Sequence, residues 1–113
     1  MATYTRLLVP RKQAENVQTT QYTAGDNSKI VIDKFTVTNT GITVETISVN
    51  LPANGQAVLA SNLVSDARKI SPGETYTFPE LTGQVIDSGG YISTLASLAA
   101  VLTISVSGRE IVQ

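Results

Sequence analysis

Thr, Val and Ile recur at alternate positions along this chain, in runs that Gly, Pro, Asn or Asp then interrupt. No other feature constrains the fold as strongly. β-Branched side chains lose rotamer freedom in a helix but pack well on a pleated surface, and a period of two sends one set of residues inward and the other outward. Ser28–Asn39 holds Ile30 and Ile32 on one parity and Phe35 and Val37 on the other. That slip predicts a β-bulge at Asp33-Lys34. Thr43–Leu51 reads as its partner strand across a hairpin turn at Asn39-Thr40-Gly41, with Ile47, Val49 and Leu51 inward and Thr46, Ser48 and Asn50 outward. Val101–Ser107 is a further strand with Leu102, Ile104 and Val106 on its inner face, and Ile111-Val112 extend it beyond Gly108. Shorter strands are expected at Gln18–Thr23, Thr75–Phe78 and Tyr91–Leu95, whereas Gln56–Leu63 fits a strand or a short helix equally. Ser71-Pro72-Gly73-Glu74 has Pro and Gly placed for a type II turn. Roughly six to eight short strands, with turn signals about every 8–12 residues, predict an all-β fold. The expected architecture is a single small antiparallel β-sandwich, jelly-roll or immunoglobulin-like.

A chain of 113 residues makes one domain, and it buries roughly 65% of its unfolded surface without staples. Charged residues are sparse, 15% of the chain with a net charge of −1, and no basic stripe suggests nucleic acid. The charge is nonetheless uneven. Residues 1–17 carry Arg6, Arg11 and Lys12 against Glu15, a net of +2, and the rest of the chain carries −3. A boundary near Val17 therefore divides an extended N-terminal arm (1–17) from a β-sandwich domain (18–113). The arm offers Tyr4, Arg6, Leu7, Leu8, Val9, Arg11 and Lys12 as partner-binding residues: apolar anchors flanked by cations, suited to adding a strand to a neighbour's open edge. On this reading the body folds without the arm. The short apolar run Leu7-Leu8-Val9 ends at Pro10, too brief for a signal-peptide core or a membrane span. No signal peptide and no membrane partner are expected.

Histidine and cysteine are absent, which removes imidazole and thiolate nucleophiles, their metal ligation and disulfides. Asp66, Glu74, Glu80 and Asp87 are the carboxylates available for paired acid–base work on a sugar bond, but each stands in or beside a turn as ordinary solvated punctuation. Asp26-Asn27-Ser28 supplies oxygen ligands without the multi-acid spacing of a calcium loop. Gly89-Gly90 lacks the Lys and the helix start of a phosphate loop. With no Trp and only scattered Tyr4, Tyr22, Tyr76 and Tyr91, a stacking platform for carbohydrate is not in view. The expectation is a non-enzyme with no cofactor and no metal. Its outward faces, Thr36, Thr38 and Thr40, then Thr46 and Ser48, are soluble yet weakly charged, so a partner can cover them without stranding charge.

Three stretches carry a resemblance: YTAGDNSKIVIDKFTVTNTGITVETISVNL (22–51), ISPGETYTFPELTGQVIDSGGYISTLAS (70–97) and VLTISVSGREIV (101–112). A strand into an Asn-containing turn, a second strand, a PGE turn, then L-x-G-x-V-I and a closing V-S-G-x-E strand resemble small β-sandwich virion proteins of tailed bacteriophages. The resemblance implies a structural protein of the virion, assembled in the bacterial host cytoplasm. It implies a homo-oligomer, with the major capsid protein or other virion proteins as partners. A capsid cement or decoration protein stabilising the head is the first reading, a neck or tail adaptor or fibre-base module the second. From another class, a carbohydrate-binding adhesin-like module remains open.

Overall fold

The structure, a computed structural model, describes residues 1–113. Nine strands follow in order: β1 (Ala2–Gln13), β2 (Thr19–Thr23), β3 (Ser28–Asn39), β4 (Glu45–Asn50), β5 (Leu63–Ile70), β6 (Thr75–Thr77), β7 (Val85–Ile86), β8 (Tyr91–Ala96) and β9 (Leu102–Val112). One sheet runs β1-β9-β3-β6, with β7 also on β3, and the other runs β2-β8-β4-β5. All pairings are antiparallel. The pairs β1–β9, β2–β8, β3–β6 and β4–β5 are the rungs of one long ribbon folded back over itself. That winding is the jelly roll, which decides between the two sandwiches expected. It also corrects the hairpin expected at Asn39-Thr40-Gly41: β3 and β4 are successive strands of the ribbon but lie in opposite sheets. Their apolar faces meet across the core instead of sharing a ladder.

That core lies between the sheets. Ile30, Ile32, Phe35 and Val37 of β3 and Leu102, Ile104 and Val106 of β9 are fully buried, as are Ile47, Val49, Ile70 and Ile92 opposite them. Phe78 joins Phe35 and Tyr76 edge-on, at centroid distances of 5.2 and 4.8 Å. The Arg68 guanidinium of β5 covers the Tyr76 ring at 3.9 Å, closing the seam between the sheets at β5 and β6. The bulge expected at Asp33-Lys34 is present as a register shift between Ile32 and Lys34 against β9. Opposite it, a Cβ on Gly108 would stand 2.2 Å from the Val31 carbonyl oxygen, so only glycine lets the strands approach there. The type II turn expected at 71–74 has Gly73 at φ +78 and the Glu74 N–H donating to the Ser71 carbonyl at 3.0 Å.

The passage from β3 to β4 depends on one buried polar side chain. Asn39, with no exposed surface, donates through Nδ2 to the carbonyls of Thr43 (2.8 Å) and Ile70 (2.9 Å) and accepts the Gly41 N–H at 2.8 Å. Its own backbone N–H donates to the Glu74 carbonyl, and its carbonyl accepts from Gly73. Asn50 departs from expectation. It keeps the parity of Ser48, since β4 runs unbroken against β8 and the extra residue of the shift at Val49/Asn50 lies on β5, but it is buried where its amide donates to the Leu59 carbonyl and Asn62 Oδ1 of the loop and 3₁₀ turn before β5. Gln56–Leu63 is mostly loop, its expected short helix reduced to a 3₁₀ turn at Ala60–Asn62, and it ends on the first residue of β5. The rest of β5 shows no alternation in sequence. Asp66, Ala67, Arg68 and Lys69 are all exposed, Ala67 has φ 45, and its N–H donates to the Ser48 hydroxyl.

The N-terminal segment is the larger correction. Residues 2–13 are not an arm outside the sandwich but its edge strand β1, in register with β9 from Ala2↔Val112 to Gln13↔Thr103. Leu8, Val9 and, just beyond the strand, Ala14 belong to the core. Position in the sequence and net charge suggested a tail; two buried aliphatic side chains, each favouring burial by roughly 1.5–3 kcal/mol, outweigh that. Two of its three cations are drawn in as well. Arg6 pairs with Glu110 of β9, and Ser28 Oγ donates to the same carboxylate at 3.0 Å. Lys12 pairs with Glu15 at 2.9 Å. The hydrogen bonds from Arg6 and then Ser28 hold the Glu110 carboxyl below its ordinary value, and those from Gln21 and Lys12 do the same for Glu15.

Three outcomes follow. Asn39→Ala strips the Ile70 carbonyl of its buried donor and is expected to cost about 2–3 kcal/mol, a fall in Tm of roughly 8–20 °C by calorimetry. Deleting residues 1–13 is expected to abolish the cooperative melt followed by far-UV circular dichroism; a truncated protein melting with the full chain would make β1 dispensable. The third concerns acid. A carboxyl with a lowered folded pKa stabilises above its unfolded value, near 4.5, and that stabilisation disappears as pH falls through the folded value. Thermal stability should therefore decline from about pH 5 downwards, and Glu110→Gln should flatten the decline.

Candidate interaction surface

Directly paired residues on neighbouring strands share a face, so the registers define the outer surface of the sheet that holds β1. Leu7, Ser107 and Lys34 form one row, Ser105, Thr36 and Thr77 the next, and Thr103, Thr38 and Thr75 a third. Thr38 and Thr75 hydroxyls meet at 2.8 Å. The Thr36 and Thr38 face read from sequence is thus continuous with β6 and β9, whereas Thr46 and Ser48 lie on the other sheet, in β4. The surface is hydroxyl-bearing because the partners of these alternating positions fill the core; the strand period fixes both sides together.

A shallow depression of about 220 Å³ opens on this face, lined by Leu7, Arg11, Lys34, Thr36, Ser105 and Ser107. The ion pairs of the chain are Arg6–Glu110, Lys12–Glu15, Lys29–Asp87 and Arg109–Asp33. Arg11 and Lys34 belong to none. Both are exposed, so they keep their hydration and impose no desolvation cost on the fold. Two free cations over a floor of hydroxyls can accept a carboxylate from a partner through charge-assisted hydrogen bonds. Near the bulge, Arg109 grips Asp33 with Nε at 3.1 Å and Nη2 at 3.0 Å, leaving that part of the face neutral.

The seven residues assigned to partner binding are separated by the structure. Leu8 and Val9 are core; Arg6 and Lys12 are ion-paired; Tyr4 is half exposed with Arg6 at 5.6 Å from its ring centroid. Leu7 and Arg11 alone reach the depression, joined there by Lys34. Sequence reasoning missed Lys34 because its pairing with Ser107 is known only once β9 lies between β1 and β3. It also missed an apolar tip. Ile42 is 94% exposed, and Val44 and Leu98 are exposed on loops that the Thr40 N–H ties together through the Val101 carbonyl. Glu45 fastens the same loops by accepting from the Thr43 and Ser97 hydroxyls, which lower its pKa.

The four carboxylates considered for sugar chemistry have separate partners. Glu80 accepts from Ser65 at 3.2 Å and from the Tyr76 hydroxyl at 3.5 Å, and Glu74 accepts the Ser71 N–H. Asp87 lies 3.7 Å from Lys29, and Asp66 belongs to the exposed stretch of β5. No group of three acidic side chains is placed to share a metal ion, and no helix is long and apolar enough to cross a membrane.

No protein-family model and no curated protein matches the sequence. Solved structures do match the fold. It is similar to a chain of infectious bursal disease virus strain Gt (TM-score 0.52, 15% identity) and of strain Gx (TM-score 0.53, 17% identity). A chain from T=1 particles derived from that virus matches at TM-score 0.52 and 15% identity. Each match takes in 96% of this chain but only 32%, 32% and 30% of the other. The chain thus spans about a third of the length of those it resembles, and at this identity the likeness is one of fold.

Proposed function

We propose that this chain is a non-enzymatic structural protein of a virion, of the capsid cement or decoration type in a tailed bacteriophage. The observation that carries the reading is the jelly roll itself, shared along nearly its whole length with chains from virus particles. The phage-like run of strands and turns, from the strand entering Asn39 to the closing V-S-G-x-E, supports it from the sequence side. The contact surface is the outer face described above. Its threonines and serines are covered by a capsid subunit at little electrostatic cost, while Arg11 and Lys34 take acidic side chains of that subunit. Residues 1–17 contribute through Leu7 and Arg11 on β1, without detaching from the sandwich.

Imaging of particles that carry the chain tests this by copy number and position. Hundreds of copies over the capsid are expected; twelve or fewer at the neck or tail would move the protein to an adaptor role, and absence from particles would overturn a virion role. Arg11→Glu with Lys34→Glu is expected to leave the melt unchanged and to empty the capsid sites. Full occupancy by that variant would eliminate this face as the contact.

A further inference from the structure

A jelly roll leaves strand edges open, and an open edge is a template for pairing unless it is guarded. Here nearly all of them are guarded. β5 carries a bulge at Ala67 among Asp66, Arg68 and Lys69; β2 is five residues long and shifts register between Thr20 and Tyr22. β6 and β7 have three and two residues. The second half of β1 is guarded too, by register shifts after Leu7 and Val9, by Pro10, and by the unpaired cation Arg11.

The first half of β1 has none of these devices. From Ala2 to Leu7 its register with β9 is unbroken, and β9 is its only strand partner. No turn, loop or side chain bonds the backbone of these residues. Thr3, Tyr4, Thr5 and Arg6 are exposed, and the one charge among them, Arg6, is neutralised by Glu110. This is a regular, β-prone, electrically neutral edge left unpaired.

We infer that the Ala2–Arg6 edge pairs antiparallel with the same segment of a second copy of this chain, joining two sandwiches through one continuous sheet. The second copy is the occupant because head-to-tail pairing between copies needs a second unguarded edge, and the molecule has none. Self-pairing about a two-fold axis uses one edge twice and closes into a dimer. A register with Tyr4 opposite Tyr4 of the second copy keeps the core faces of both sandwiches on one side of the joined sheet. It sets Thr3 opposite Thr5 and Ala2 opposite Arg6. The two arginines are then about 14 Å apart along the strands, four residues at about 3.4 Å each, beyond the screening length of about 8 Å at physiological salt. The inference does not rest on the virion role and holds for any role of the sandwich.

Sedimentation equilibrium on the full chain tests it, with thermal melts confirming that each variant is folded. The wild type is expected to be a dimer in equilibrium with monomer. Thr3→Lys with Thr5→Lys places like charges opposite each other twice and should weaken the dimer about ten-fold. Thr3→Lys with Thr5→Glu places opposite charges there and should restore it. A monomeric wild type, including one that binds only an unrelated protein through this edge, would overturn the inference. So would a dimer that the double lysine variant leaves unchanged. A Lys/Glu variant no tighter than the Lys/Lys variant would exclude this register.

Discussion

The structure depends on β9 lying between β1 and β3. One face of this strand supplies Leu102, Ile104 and Val106 to the core, and its two edges hold the first strand of the chain and the longest strand of the interior. Pairing residue 2 with residue 112 closes nearly the longest loop the chain allows, at an entropic cost that rises only slowly with length. Beyond that rung, the successive rungs of the ribbon, β1–β9, β2–β8, β3–β6 and β4–β5, alternate between the two sheets. The segment at the beginning of the chain is therefore part of the fold, and cannot act as a tail while Leu8 and Val9 fill the core.

Winding a ribbon across a core requires corners, and corners bury backbone. Asn39 resolves the sharpest one with a single amide that supplies two donors and one acceptor to three backbone groups. An apolar residue there would fill the space but orphan a carbonyl inside the protein, which costs more than the packing returns. The Gly108 contact with Val31 and the bulge at Asp33-Lys34 are a second corner of this kind, in the middle of a sheet. Both tie a local irregularity to one residue type.

The outer face and the edges then take their character from what the core leaves over. Alternation puts hydroxyls outside wherever Val and Ile go inside, and the cations of β1 divide according to which side of the strand they stand on. Arg6 finds Glu110 near the mouth between the sheets, while Arg11 meets Lys34 over the hydroxyl floor with no acid within reach. The same sheet thus offers a neutral edge at Ala2–Leu7 and a cationic hollow beside it, two surfaces for two different contacts.

The sequence by itself determined a good part of this. Strand alternation in β3, β4 and β9 identified Ile30, Ile32, Phe35, Val37, Ile47, Val49, Leu102, Ile104 and Val106 as core, along with the bulge and the type II turn, because these depend on neighbours a few residues away. β5 escaped it, since a strand that is exposed and bulged has no period to read. The jelly-roll winding, the burial of Asn50, the place of residues 1–17 and the meeting of Arg11 with Lys34 were decided only by the tertiary structure. Each depends on which distant strand lies alongside, and a period of two states which way a side chain points without stating what it will meet.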